Sequence, residues 1–445
     1  MGDVEARGDE RNFGAWGALG NAWVRLLSIA ARFATSPFTN RALGAAGRGV
    51  LSVVDNASGT FSILLAPNVP ASFYRTLATR RFTPAEYAGT ALLIGLAAGL
   101  FVPLVFAASY PWLADSAYRN VSPVYFGVAF AACPLLLSRN YLHALMQGLG
   151  HLNDANRVLR NEALASLGTT AVLLALGIFR VGTALVVSIG LAAFTLANVV
   201  VVLLRDVAFP WRVSRSLLRV SLRDAVGVHL SSVATFLVLR IDVLMLNAYE
   251  PASAVGNYVV AVTAAETLLL IPYATQALLF SRSSTSDAEA GGLASVIRAT
   301  RHTFYWMVLG AGFLALCAPL VIRILGGEQF RAAVTALRLL LPGLVFYGLS
   351  MSLAPLWIRS GMYGTQSLLA SMCLLLNVGL NLALIPAISI AGAAVASTVA
   401  YATGGLCWLW ILGRTTNCTW SEVFRLGMDD LRYYGDLWRE VRSGG

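Results

Sequence analysis

The chain has 445 residues, of which 57% are hydrophobic and only 12% charged, with a mean hydropathy of +0.70. A soluble domain carries about 25% charged residues, so composition points to a polytopic membrane protein. The net charge of +10 comes entirely from Arg, since the sequence contains no Lys; in so apolar a chain it is expected to set orientation across a bilayer, and nucleic acid is not an expected partner.

Met1 to Asn12 is mixed in charge with no apolar core, so no cleavable signal peptide is expected. The first helical pattern lies between Gly14 and Thr35. Trp16, Leu19, Trp23, Leu26, Ala30 and Phe33 recur at helical spacing, while Asn21, Arg25, Ser28 and Arg32 line the opposite face. Such an element can lie flat in the interface, as amphipathic helices with Arg faces do, or span with its polar stripe turned into a cavity. The residue pattern leaves both open. Eleven apolar runs follow, near 49–66, 88–110, 122–146, 163–180, 183–204, 225–247, 257–281, 303–322, 333–357, 366–386 and 391–413. A helix needs about 20 residues to cross a hydrocarbon core, and these runs approach or exceed that length.

The stretch from Asp224 to Arg282 carries the most information. It follows a basic segment (Arg205, Arg212, Arg215, Arg219, Arg223), and its two apolar runs are joined by a short polar turn at Glu250 to Gly256. Arg240, Asp242 and Glu266 lie inside those runs, where an ionisable side chain costs roughly 2.5–3.5 kcal/mol on insertion scales. Either pairing within a helix bundle or a polar cavity must offset that cost. The five cysteines are scattered, without the spacing of a metal site or a disulfide framework. Pro272, Pro342, Pro355 and Pro386 are expected as kinks, and His229 and His302 as interfacial residues. Beyond the last run, Trp420, Val423, Phe424, Leu431, Tyr434, Trp438 and Val441 alternate with Arg residues, the pattern of an interfacial helix.

Arg placement tests the topology. If the N-terminus is cytoplasmic and the first element spans, the cytoplasmic segments hold 21 Arg and the opposite segments six, a strong positive-inside bias. The expected organisation is a cytoplasmic N-terminus (1–13), an N-terminal six-helix bundle (14–204), a basic cytoplasmic linker (205–224), a C-terminal six-helix bundle (225–413) and a cytoplasmic amphipathic tail (414–445). This is an all-α polytopic membrane protein with about 12 transmembrane helices and both termini cytoplasmic. An even number of spans per half orients the halves alike, as in parallel-repeat transporters. There is a faint echo between them: Gly47-Arg48-Gly49-Val50 opens the second element of the first half, and Gly256-Asn257-Tyr258-Val259 opens its counterpart. Each is followed by an acid, Asp55 and Glu266.

Three stretches carry a family resemblance. Leu376 to Tyr401 reads LNVGLNLALIPAISIAGAAVASTVAY, which resembles the N-x-x-L-I-P … G-x-x-G-A-A-x-A signature of the multidrug/oligosaccharidyl-lipid/polysaccharide (MOP) flippase superfamily. Ala42 to Gly49 is similar to the L-G-P-A-G-R-G turn of its polysaccharide transport branch, with Ala45 in place of Pro. Arg240-x-Asp242 … Val255-Gly256-Asn257-Tyr258 resembles the passage that opens that branch's second half. The resemblance spans roughly residues 40–413. It implies a MATE-like, V-shaped pair of six-helix bundles around a central cavity, working by alternating access, and it favours a spanning first element. The implied cargo is a polyprenyl-diphosphate-linked oligosaccharide, moved across the cytoplasmic membrane for surface polysaccharide biosynthesis. Membrane lipids, polysaccharide polymerase and glycosyltransferases are the implied partners.

A diphosphate cargo calls for cations, and Arg gives bidentate phosphate contacts. Arg25, Arg32, Arg139, Arg240 and Arg338 are the intramembrane candidates for substrate binding. His143 joins them, because Arg139, His143 and Gln147 fall at i, i+4, i+8 on one helix face. For each Arg the alternative is a structural ion pair, Arg240 with Glu266 above all. Asp242, Glu266 and Asp55 are candidates for coupling transport to a proton or sodium gradient; no other cofactor is expected. The sequence has no Gly-rich phosphate loop, no triad order and no His/Cys ligand set, so an enzyme is not expected. The alternatives to a flippase are a MATE-like drug exporter, which calls for an acid-dominated cavity, and a non-transporting scaffold of a polysaccharide synthesis complex.

Overall fold

A computed structural model describes residues 15–77, 79–119, 121–283, 293–416, 418–425 and 427, with backbone alone at 15–34, 71, 277–283 and 358–359. Among these the secondary structure is helical throughout. The α-helices are α1 (Ala15–Leu65), α2 (Val69–Leu77), α3 (Pro84–Leu113), α4 (Pro123–Ala131), α5 (Cys133–Gly148), α6 (Leu152–Ala175), α7 (Val181–Asp206) and α8 (Arg215–Tyr249). They continue with α9 (Ala252–Ala265), α10 (Leu270–Ser283), α11 (Leu293–Gly326), α12 (Ala333–Arg359), α13 (Tyr363–Thr416) and the short α14 (Trp420–Phe424). Seven helical stretches meet the length and hydropathy of a membrane span. The exposed faces of α3 and α11 carry Leu100, Leu104, Leu309, Phe313 and Leu316, an apolar belt suited to hydrocarbon and unlike the surface of a soluble monomer.

Several helices are two spans, or halves of one span, joined by local geometry. In α1 the backbone leaves the helix at Gly44 (φ 68°, ψ 174°), a left-handed conformation that glycine adopts without a Cβ penalty. In α13 the break falls at Ile388 and Ser389, just after Pro386, so the expected loop between the last two runs is a sharp reversal. Its arms fold back closely: a Cβ added at Gly392 would sit 2.3 Å from the Leu384 carbonyl oxygen. Conversely, α4 and α5 form one span jointed at Ala132, and α9 and α10 are joined through a 3-10 turn at Glu266–Leu269. Counted this way, the described residues give twelve helical spans, six on each side of the connection at 207–214.

That connection is shorter than the sequence suggests. Helix α8 starts at Arg215 rather than near Ala225, because Ser214 caps it by accepting from Leu217 N and because Leu217, Ser221 and Ala225 bury one face. Arg215, Arg219 and Arg223 therefore ride on helical turns. The α6 helix likewise begins at Leu152, taking Arg157 and Arg160 into a helix. The N-terminus and the tail from 428 onward lie outside the described residues; within them α14 packs on α11, with Tyr305 donating to the Phe424 carbonyl and the Phe304 and Phe424 rings 4.8 Å apart.

The two halves are joined where the echoed motifs meet. A Cβ at Gly49 would lie 1.8 Å from the Ala252 carbonyl oxygen, and one at Gly256 would lie 1.9 Å from that of Ala45. The two backbones are thus in contact at a reciprocal small-residue crossing, the device that lets membrane helices pack closely. Asn40 Nδ2 donates to the Leu325 carbonyl (2.9 Å) and Asn247 Nδ2 to that of Ala117 (2.8 Å), extending the same seam. One large apolar core runs through both halves from this seam, and a smaller one around Phe73, Tyr87, Tyr141 and Leu203 fills the other end of the first half.

Candidate functional site

Arg240, on α8, pairs with Glu266, at the point where α9 tightens into its 3-10 turn. The contact is two-pronged: Nη1 to Oε1 at 2.9 Å and Nη2 to Oε2 at 3.2 Å. A planar guanidinium and a carboxylate matched in this way form the strongest kind of charge-assisted hydrogen bond. Both side chains remain about one-third exposed (33% and 29%). The pair therefore neutralises itself while keeping part of its surface open.

Two residues on, Asp242 is almost completely buried, at 1% exposure. Its carboxylate accepts from the Tyr258 hydroxyl (2.5 Å), the Ser397 hydroxyl (3.0 Å) and the Val243 backbone N–H (2.8 Å). Behind Ser397, Asn377 Nδ2 donates to Ser397 Oγ (3.3 Å) and Asn381 Nδ2 to Asn377 Oδ1 (2.9 Å). Asn377 and Asn381 belong to the first arm of α13 and Ser397 to the second, so the hairpin reversal brings them together. The Asn381 Oδ1 is buried without a protein partner, and a buried acceptor left unpaired costs about 1–3 kcal/mol. The cluster thus gathers one carboxylate, two hydroxyls that donate to it and, behind Ser397, two amides. A carboxylate so held is the one group here that can take up a proton or a small hard cation. No group of three His, Cys, Asp or Glu side chains that could hold a metal occurs among the described residues.

The sequence singled out Asp242; it did not single out Tyr258, Asn377, Asn381 or Ser397 as its partners. The last three lie in the Leu376–Tyr401 signature, whose small residues pointed to helix packing. The packing role is also present, since Gly392 is buried and Ala393, Ala394 and Ala396 are fully so. The readable signal was the polar spacing Asn377, Asn381, with Ser397 inside an otherwise apolar stretch.

In the first half, Arg139 on α5 forms a 2.6 Å ion pair with Glu162 on α6 and also donates to Asn140 Oδ1. His143 Nε2 lies 3.2 Å from the Ala155 carbonyl, and Tyr74 donates to Gln147 (2.9 Å). The predicted polar face of α5 exists, then, and it is turned to α6 and α2. Glu162 escaped notice because it sits just before the run at 163–180, in a stretch that α6 extends into helix. Arg338 is exposed on α12 and donates from Nε to the Ala315 carbonyl of α11 (3.0 Å). Asp55 is exposed on the second arm of α1. Arg25 and Arg32 lie in the first arm, where side chains are outside the described residues. The structure therefore joins Arg240 to Glu266, sets Asp242 beside them on α8, and keeps Arg139 and His143 in the other half. A crevice of about 330 Å³ between the halves is bordered by Thr60 and Tyr118 on one side and Ile241 and Met245 on the other; neither Arg139 nor Arg240 lines it.

No known family's sequence profile matches the chain, and no curated protein sequence does. Solved structures do. An inward-facing multidrug resistance MATE family transporter of the MOP superfamily matches 89% of this chain and 99% of its own, with a TM-score of 0.66 at 16% identity. The lipid II flippase MurJ, in an inward closed conformation, matches 89% and 87% with a TM-score of 0.70 at 10% identity. A MOP superfamily transporter from Pyrococcus furiosus, described as having a binding pocket of reversed polarity, matches 90% and 95% with a TM-score of 0.61 at 15% identity. The chain thus has the MOP fold, along nearly its whole described length, and is a multi-pass membrane protein.

Proposed function

We propose that this chain is an alternating-access transporter whose cargo is a polyprenyl-diphosphate-linked oligosaccharide, carried across the cytoplasmic membrane for cell-surface polysaccharide. The observation that carries the reading is convergence. Three motifs that resemble the polysaccharide transport branch are far apart in the chain, yet they meet in two adjoining features: the Gly49–Gly256 crossing and the Asp242–Tyr258–Ser397 network. A MurJ-like fold over both halves supports a lipid-linked cargo. In this reading the partly exposed Arg240–Glu266 pair meets the diphosphate, Glu266 releasing the guanidinium as cargo arrives, and Arg139 with His143 acts in the same way in the other half. Asp242 takes up the coupling proton or sodium ion, and its occupancy biases the packing of α8 against α13. Polymerase and glycosyltransferases are the partners that would supply and consume the cargo.

One observation favours the MATE-like reading instead. Arg139 and Arg240 are both neutralised by acids, which reduces the net positive charge on offer to a phosphate. The two readings separate in proteoliposomes containing the full chain, loaded either with a fluorescent undecaprenyl-diphosphate oligosaccharide or with ethidium. The flippase reading expects gradient-dependent movement of the first and none of the second. Ethidium transport without lipid movement would replace it with drug export.

A further inference from the structure

Arg338 is an intramembrane cation with no place in either charged site. It lies within the α12 span, is exposed, and does not line the crevice between the halves. Its Nε answers a gap made by Pro319 on α11. A proline has no N–H to give, so the carbonyl four residues earlier, that of Ala315, loses its helical partner. Arg338 Nε donates to that freed oxygen at 3.0 Å. Its two Nη groups have no protein partner among the described residues.

Arg331, Thr335, Arg338 and Pro342 recur at helical spacing and are all exposed, forming one stripe along α12 and its lead-in. On neighbouring α11 the exposed residues include Leu316, Leu320 and Ile324. Where the end of α11 meets the start of α12 there is a cleft of about 540 Å³. Its lining is apolar at Pro319, Leu320 and Val334 and charged at Arg323, Glu328 and Arg331. Arg323 is accounted for: it pairs with Glu328 at 3.1 Å and sits in the last turn of α11, where a cation suits the helix dipole. Arg331 has neither support, and its side chain has no partner among the described residues. Orientation does not call for it either, since the expected topology puts these helix ends on the side that holds only six Arg.

Two guanidiniums, on Arg331 and Arg338, thus stand uncompensated beside an apolar surface. A hydrocarbon chain alone gives them nothing, and a soluble anion leaves the apolar wall unused. A zwitterionic lipid brings an ammonium, but the one carboxylate of the lining, Glu328, is already taken by Arg323. An anionic phospholipid fits every part. Its phosphodiester accepts from guanidinium N–H groups, its acyl chains lie along Leu316 and Leu320, and its net charge balances the surplus. We infer that the α11–α12 cleft binds an anionic phospholipid, with Arg331 and Arg338 as the phosphate-binding groups. This site is on the lipid-facing surface and does not depend on the flippase reading.

The test uses the full chain in phosphatidylcholine nanodiscs. A trace of either phosphatidylglycerol or phosphatidylcholine carries a diazirine in one acyl chain. After illumination, label is read on the tryptic peptide 302–323, which is unchanged in the variants. In the wild type, phosphatidylglycerol should label this peptide at least about fivefold more than phosphatidylcholine, the worth of one guanidinium near a membrane surface. Arg331→Gln and Arg338→Gln should each reduce that preference, and the double variant should remove it. Arg160→Gln/Arg180→Gln, which removes two exposed Arg elsewhere, should keep it. Equal labelling by the two lipids in the wild type would reduce the cleft to ordinary lipid contact and overturn the inference. So would a preference that survives in Arg331→Gln/Arg338→Gln, or one lost equally in the control pair. Should the double variant fail to elute as a single species, Arg331→Gln alone, which lies outside the helices, decides by the same comparison. Unlabelled undecaprenyl phosphate displacing the probe better than unlabelled phosphatidylglycerol would assign the cleft to a polyprenyl carrier and overturn the phospholipid assignment.

Discussion

The two halves of this molecule have the same number of spans and treat their intramembrane charges differently. In the first half the charged and polar groups of α5 are met at its border with α6 and α2: Arg139 on Glu162, Gln147 under Tyr74. Each group has its own partner. In the second half the groups are linked, with Asp242 accepting from three donors on α8, α9 and α13, and Asn377 and Asn381 continuing the chain. A local pair fixes two helices against one another. A shared, buried network ties three elements to a single carboxylate, which is what the proposed coupling role of Asp242 requires. The contrast is one of connectivity: separate pairs on α5 in the first half, a linked network around Asp242 in the second.

The comparison can be broken most sharply at the seam on which both halves depend. Gly256→Leu or Gly49→Leu forces a side chain into backbone less than 2 Å away, and neither carbonyl can retreat without separating the helices. The expected loss exceeds the ~1–3 kcal/mol of ordinary overpacking, seen as aggregation on size-exclusion chromatography in detergent. A monodisperse, heat-stable variant would mean that the halves do not need this crossing.

Next in size is the carboxylate. Asp242→Asn keeps the shape, and its single oxygen can still accept from Tyr258 and Ser397 at the cost of the Val243 N–H bond, so folding should survive while the dependence of transport on the proton or sodium gradient disappears. Normal gradient dependence would return Asp242 to a purely structural role and remove the contrast between the halves. Ser397→Ala should weaken coupling less, because Tyr258 and Val243 still hold the acid.

The ion pairs sharpen the comparison further. Removing Arg240 leaves Glu266 without its partner; for fully buried pairs such loss costs about 3–5 kcal/mol, and the one-third exposure here lowers the expectation to roughly 2 kcal/mol. Arg240→Ala/Glu266→Ala should regain most of that stability in a double-mutant cycle. If Arg240 also meets cargo, the double variant stays inactive in lipid movement despite its recovered stability. The same cycle on Arg139 and Glu162 decides whether the first half is only braced: recovered stability with recovered transport would show that it is.

Arg338 should give the smallest effect. It is exposed and donates one hydrogen bond to a backbone carbonyl, so Arg338→Ala is expected to change the unfolding midpoint by no more than about 1 kcal/mol equivalent. A large loss of transport at unchanged stability would restore it to the cargo path.

Much of this was readable in the residues. The apolar runs located the spans, and the intramembrane acids marked the second half as the place to look, because charges at depth need a reason. The Arg240–Glu266 pair was among the readings that the spacing allowed. Glu162 was missed for the opposite reason: at the edge of an apolar run an acid looks solvated, and only the extension of α6 by Leu152 to Glu162 makes it a partner for Arg139. The turn residues between the last two runs looked like a loop, whereas Ser389 at φ 55° makes a reversal tight enough to set Asn377 against Ser397.

Hydropathy along the chain, on its own, determined that this protein lives in a membrane, about how many times it crosses, and which ionisable groups are costly to bury. These are properties of single segments, since the transfer of a helix into hydrocarbon depends on its own composition. Which acid is sealed and which is shared, and that Gly49 and Gly256 touch, were decided only by the tertiary structure. They depend on residues tens to hundreds of positions apart, and no local pattern records the distance between two helices once they have packed.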